Sequence, residues 1–151
     1  MRTFDTIEIA TDPAAVYRAA AEILHWPAIL PHYRWVKILA EKNDGALVEM
    51  AARRGWIPVR WTALQRCEAG GREIHYLHTG GATRGMQVVW ELVPTEIGTQ
   101  VTIIHDLTLD TPVIRWWIGK LIVGQFFVHY IAGRTLRAMK RHLEEEICGE
   151  Q

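Results

Sequence analysis

The spacing of apolar and polar residues predicts one strand, a pair of short helices, a long run of strands and a final long helix. Over residues 3–10, Phe4, Ile7 and Ile9 sit among Asp5, Thr6 and Glu8, which reads as a strand. Thr11-Asp12-Pro13 marks a helix start. The Asp12 carboxylate can accept from free backbone N–H groups as N-cap, and Pro13 suits the first helical position, where no N–H is needed. Val16, Ala20, Ile23 and Leu24 form its apolar stripe, Pro27 ends it, and a second short helix follows to about Pro31.

From Tyr33 onward, turn signals recur at Asn43-Asp44-Gly45, Gly70-Gly71, Gly80-Gly81 and Ile97-Gly98-Thr99. Their spacing predicts strands of about nine to twelve residues joined by tight turns, hence an antiparallel meander. Sheets this long coil, and a coiled sheet has a concave face to fill. Thr111 as N-cap and Pro112 at the first helical position open a last helix that reaches about Glu146, a length of about 50 Å. Gly119, Gly124 and Gly133 are places where it can bend. The expected architecture is α+β: a long curved antiparallel sheet of about seven strands around a long C-terminal helix, with two short helices closing one end. The space between them is the natural pocket, in one domain spanning 1–151.

Composition narrows the function classes. Seventeen basic residues balance seventeen acidic ones, so no global field favours nucleic acid, and no basic run is present. Cys67 and Cys148 do not make a disulfide framework, and the N-terminus has no apolar signal core, so a cytoplasmic location is the default. Seven tryptophans need a large apolar interior or a cavity to line. No phosphate loop, nucleophile elbow or paired-carboxylate site is found, and no cofactor is implied. Metal binding is not expected: His75 and His78 lie three apart on a predicted strand and so point to opposite faces, and His25 and His32 have no cysteine or carboxylate partner nearby.

The stretch from His25-Trp26-Pro27 through Tyr33-Arg34-Trp35-Val36 resembles the Trp-Pro … Tyr … Val segment of the START-like, Bet-v-like (SRPBCC) superfamily, in its branch of polyketide cyclase/dehydrases and coenzyme Q-binding proteins. Gly85-Met86-Gln87-Val88-Val89-Trp90 followed by Gly98-Thr99-Gln100-Val101 is similar to that branch's last hairpin, and 135–140 to its closing helix. The resemblance covers essentially the whole chain. It implies a helix-grip fold with a deep apolar cavity that takes lipids, quinones or polyketides, and in some members guides polyketide cyclisation.

Several residues are candidates for chemistry. On the last strand Val101, Ile103, His105, Leu107 and Leu109 share the more apolar face, so His105 points inward. It is either a core histidine hydrogen-bonded to a neighbour, the more common case, or a polar anchor or proton donor for a ligand. Met86, Val88, Trp90 and Leu92 share a face on the preceding strand, and the resemblance makes Trp90 cavity wall. Over 56–67, Ile57, Val59, Trp61 and Ala63 form one face, and Trp56, Arg60, Thr62, Leu64 and Arg66 the other. Apolar counting turns the first set inward. The resemblance turns Arg66 inward, to clamp polyketide oxygens. Both hold only with a bulge, for which Pro58 offers a place. A buried Arg60 or Arg66 would need an anion or several acceptors; the alternative is a solvated arginine on the convex face. By resemblance Tyr33 hydrogen-bonds substrate, though it would serve equally as a plug at the cavity mouth, and Trp26 packs the first helix onto the sheet.

The terminal helix carries Trp117, Leu121, Val128 and Ala132 on one side, with further aromatics spread around it. Its length approaches a membrane span, but its polar interruptions argue against one. Sheet wrapping explains most of the excess apolar surface; a second subunit forming a homodimer, or peripheral contact with a membrane, are the other covers. Three functions follow: binding of an apolar small molecule (quinone, lipid or polyketide-like), polyketide aromatase/cyclase action through Tyr33, His105 and Arg66, or protein interaction through the helix. The scarcity of inward acids and bases favours binding.

Overall fold

A computed structural model of the chain describes residues 2–81, 83–106 and 114–149, with side chains of the last helix described from Val128 onward. Seven strands form one antiparallel sheet: β1 (Arg2–Ile9), β2 (Tyr33–Lys42), β3 (Gly45–Arg54), β4 (Ile57–Cys67), β5 (Glu73–Gly81), β6 (Gln87–Pro94) and β7 (Thr99–Asp106), in the order β1-β7-β6-β5-β4-β3-β2. Helix α1 (Pro13–Ala21) and helix α2 (Trp26–Ile29) lie between β1 and β2, and α3 (Ile114–Gly149) follows β7. This is the expected helix-grip arrangement. The expected helix start at Thr111-Pro112, and Leu107 and Leu109 of the last strand's inward face, lie outside the described residues.

Helix α1 begins as its sequence dictates: the Ala15 N–H donates to Asp12 Oδ1 at 2.8 Å, and Pro13 occupies the first turn. It stops at Ala21, where Glu22 takes a non-helical conformation, so Pro27 does not terminate it. Pro27 instead sits in the first turn of α2, where its missing N–H is harmless, after a 3₁₀ turn over Ile23–His25. Leu24 in that turn is exposed and does not join the α1 stripe, whereas Val16, Ala20 and Ile23 are buried. On β1, Thr3, Ile7 and Ile9 share the inward face, while Phe4 faces out under the Arg2 guanidinium.

Two glycine signals act differently from the expectation. Asn43-Asp44 does join β2 to β3, yet neither residue has positive φ, as a type I′ turn would require. Gly45 is needed for another reason: a Cβ there would lie 1.7 Å from the carbonyl oxygen of Gln65 on β4. Gly80-Gly81 does not turn the chain. It carries β5 on past Thr62 and Trp61 of β4, after a register shift that leaves Thr79 unmatched; a Cβ on Gly80 would meet Thr62 Oγ1 at 2.7 Å. The extra residue lies in β5, so β4 keeps its alternation.

The core forms where α3 crosses the concave face. Val128, Ile131, Ala132, Leu136, Met139 and Leu143 repeat at helical spacing and are all buried. Opposite them lie Val48 and Met50 of β3, Ala63 of β4, Ile74 of β5, Leu92 of β6 and Val101 of β7. Burying each larger aliphatic side chain contributes about 1.5–3 kcal/mol, and this seam holds the helix in the sheet's curve. Among the described residues, no helix is long and apolar enough to cross a membrane.

Candidate functional site

The seam is incomplete near the middle of α3. A cavity of about 80 Å³ remains between the sheet, α2 and α3. Its wall is mainly aromatic. Trp26 of α2 stands edge-on to Tyr33 with centroids 5.2 Å apart and tilts against Trp90 at 5.6 Å; Trp61 lies 6.1 Å from Tyr33. The Trp26 indole N–H donates to the Ala19 carbonyl at 3.1 Å, so α1 fixes the ring that α2 presents. Met86, Val88, Ile103 and Val128 complete much of the apolar lining.

Few polar atoms enter, and most are engaged. Tyr76 Oη accepts from Gln65 Nε2 at 3.0 Å, and that amide also donates to the Ala21 carbonyl at 3.1 Å. His78 stacks on Trp61 at 5.9 Å, and its Nδ1 shares a 2.6 Å hydrogen bond with Thr83 Oγ1. Thr135 Oγ1 is 2.8 Å from His32 Nε2. His105 is the exception: its Nδ1 is buried and has no hydrogen-bond partner among the described residues. The expectation of a core histidine bonded to a neighbour therefore fails at this nitrogen. Thr3, its cross-strand partner on β1, likewise has a buried hydroxyl without a partner among the described residues.

Burial holds these groups neutral. Desolvation lowers His105 to about 3, with smaller contributions from His78 and His129, and lowers His78 to about 4. Desolvation raises the Tyr33 hydroxyl well above its usual range, only partly offset by Thr135, and raises Tyr76 likewise. Near pH 7 both tyrosines are protonated and both histidines uncharged. No carboxylate, lysine or arginine lines the cavity among the described residues. The wall can therefore stack on rings and exchange neutral hydrogen bonds, and it is a poor host for a charged group.

The family model described as polyketide cyclase / dehydrase and lipid transport matches residues 9–128. The chain belongs to this family. No curated protein sequence matched significantly. Among solved structures, a protein of Thermus thermophilus superposes with TM-score 0.80 at 16% identity, over 97% of this chain and 99% of that one. The Zhui aromatase/cyclase from Streptomyces sp. R1128 gives 0.71 at 19% identity, over 93% and 94% of the two chains. A START superfamily protein from Mycobacterium smegmatis gives 0.68 at 17% identity, over 99% of each. These likenesses establish the helix-grip fold, and membership of the polyketide cyclase / dehydrase and lipid transport family supports a hydrophobic ligand-binding or polyketide cyclase role.

Of the residues singled out from the sequence, the structure brings Trp26, Tyr33, Met86, Val88, Trp90, Ile103, His105 and Val128 to the cavity. It does not bring Arg60 or Arg66, which are exposed on the convex face because β4 carries no bulge of its own. Apolar counting matches the burial of Trp61 and Ala63 but not of Ile57, which is exposed, and the family-based placement of Arg66 does not match; Gln65, its neighbour, points inward instead. Trp117 and Leu121 lie outside the described side chains. His78, Tyr76 and Thr135 are cavity residues that sequence reasoning missed. His78 was recoverable: the alternation that separates it from His75 also turns it inward with Tyr76. Its outward counterpart His75 lies 2.9 Å from Glu73 and 3.4 Å from Glu68, a solvent-side side-chain cluster that the two-histidine spacing did not reveal.

Proposed function

We propose that this chain binds a neutral, apolar, ring-bearing small molecule, quinone- or polyketide-like, in the cavity between the sheet and α3. The observation that carries this reading is a cavity wall of tryptophan and tyrosine rings that has no charged group among the described residues and includes His105, whose buried Nδ1 has no partner among them. Stacking on Trp26, Trp61 and Trp90 supplies affinity, and a ligand hydroxyl or carbonyl meets His105, whose neutral imidazole donates or accepts according to tautomer. A cavity of about 80 Å³ is smaller than the ~150 Å³ apolar cavity that takes benzene, so a multi-ring ligand enters with a small outward movement of α3 from the sheet.

A second reading, polyketide aromatase/cyclase, draws on the family description and on two histidines facing one cavity. Binding is favoured over it because, among the described residues, no carboxylate, lysine or arginine lines the cavity to pair with a base, while Tyr76 is tied to Gln65 and His78 to Thr83. A histidine held near 3 or 4 is also a weak base at neutral pH.

Menadione titration tests the binding reading through tryptophan fluorescence, since Trp26, Trp61 and Trp90 line the cavity. The expected result is saturable quenching with a raised melting temperature, and release of an apolar compound on solvent extraction of the purified protein. Linear, unsaturable quenching with no thermal shift and an empty extract would contradict it.

A further inference from the structure

Across the His32–Thr135 hydrogen bond from the apolar cavity lies a depression of opposite chemistry. It is a groove of about 450 Å³ between the β3–β4 hairpin and α3, lined by Arg53, Arg134, Arg137 and Arg141 together with His32 and Gly55. The helix arginines are three and four residues apart and share one face. Gly133 gives one of them room: a Cβ there would lie 3.1 Å from Arg137 Nη1. Arg54 adds a fifth guanidinium, stacked on the Tyr130 ring at 5.1 Å with Arg134 over the same ring at 5.2 Å. Among the described residues, none of the five forms a salt bridge with a carboxylate, and no acidic residue lines the groove. The chain has no net charge, so this is a local concentration of positive charge. His32 registers it: burial first, then Arg134 and Arg137, lower it to about 4.

The hairpin beside the groove carries a second, independent feature. After Gly55, which turns with φ of 59°, Trp56 is 88% exposed and Ile57 is 45% exposed. An indole held out in solvent next to a guanidinium cluster is the pairing that interfacial regions of a bilayer select: rings settle at headgroup level while arginines meet phosphates.

We propose that the arginine groove and the Trp56–Ile57 tip form one docking surface for an anionic lipid bilayer. The guanidiniums take headgroup phosphates in charge-assisted, two-pronged hydrogen bonds, and the tip enters the headgroup boundary. This goes beyond the cavity reading and does not depend on it.

Vesicle flotation tests it with phosphatidylcholine vesicles made with and without phosphatidylglycerol. The protein is expected to float with the anionic vesicles only, less so as salt rises. Two arginines at roughly fivefold each predict that R137Q/R141Q lowers partitioning about twenty-five-fold. W56S, which changes no charge, is expected to lower it severalfold and keeps the test open if the double variant fails to fold. R60Q/R66Q, which removes the same charge from the convex face, is expected to bind like the wild type. The proposal is overturned if anionic vesicles do not bind at low salt, if neutral vesicles bind as well, or if R137Q/R141Q or W56S matches the wild type. It is also overturned if R60Q/R66Q loses as much as the groove variant. Pyrophosphate binding to the groove without any vesicle binding would overturn it in favour of a soluble phosphoester.

Discussion

Replacing His105 by leucine should stabilise the empty protein and weaken its hold on ligand. Nδ1 of His105 is buried with no partner among the described residues, and a buried polar atom left in that state costs about 1–3 kcal/mol. Leucine is of comparable size and has no polar atom, so it removes that cost beside Val88 and Ile103 without opening a large void. Allowing about 1 kcal/mol for imperfect packing, the net gain is about 0–2 kcal/mol. At about 2–4 °C per kcal/mol for a domain of this size, the melting temperature rises by up to roughly 8 °C. A single hydrogen bond to ligand is worth about 0.5–1.5 kcal/mol, so menadione affinity falls roughly two- to tenfold in the same variant. Differential scanning calorimetry and fluorescence titration measure the two effects. His105→Ala separates polarity from packing: it removes the same nitrogen but leaves a hole, and is expected to melt below His105→Leu. If leucine lowers the melting temperature as much as alanine does, Nδ1 is engaged in solution and the reasoning fails.

Other expectations are as direct. Gln65→Leu strips partners from Tyr76 Oη and the Ala21 carbonyl and should lower stability by about 1–3 kcal/mol, read by urea denaturation; a neutral result would show that water replaces the amide. Gly45→Ala drives a methyl into the Gln65 carbonyl and should cost more than about 3 kcal/mol or abolish soluble expression, and a near-native melting curve would contradict the close approach of β3 to β4. Acid should destabilise the protein through its buried histidines. His32 and His78 are lowered to about 4 and His105 to about 3, all below the unfolded value near 6.5, so the unfolded chain binds protons first. The stability is fully present above about pH 6.5 and is lost as pH falls toward 4, by about 1 kcal/mol per histidine over the first unit. A urea midpoint that does not change between about pH 7.5 and 5.5 would rule this out.

The fold was legible because its signals are redundant. Asp12-Pro13 specifies a helix start chemically, the long glycine-punctuated strands admit only a meander, and from Val128 onward the terminal helix buries an apolar stripe against the curved sheet. Errors fell where a residue type serves two purposes. Gly45 and Gly80 read as turn formers because glycine permits unusual φ, yet both are required by a neighbouring strand's atoms, and close approach across a sheet leaves no local trace in sequence. Pro27 reads as a terminator, but proline starts helices as readily as it ends them. The cavity was half legible. Period-two alternation assigned Met86, Val88, Trp90, Ile103 and His105 to one wall, and only the resemblance drew Arg66 inward against that alternation. Thr135 and His32 meet across 103 positions of sequence, a pairing no local pattern encodes.

The distribution of charge is what separates the two halves of this protein's chemistry. Inside, the pKa shifts of the cavity-lining groups run away from ionisation: histidines fall, tyrosines rise, and desolvation is the leading cause each time. A catalyst that moves protons needs groups poised near working pH, commonly by pairing a base with a second charge. Here the cationic groups that might supply such a charge, Arg134 and Arg137, stand on the far side of His32, lowering it further. The protein thus keeps guanidiniums at the rim and neutral rings within. That division suits selecting an uncharged molecule and holding it, since a charged competitor entering the cavity would forfeit its hydration with no partner to replace it. If soluble anionic analogues of menadione, such as its sulfonate, bind the cavity as tightly as menadione itself, this division is not what determines selectivity.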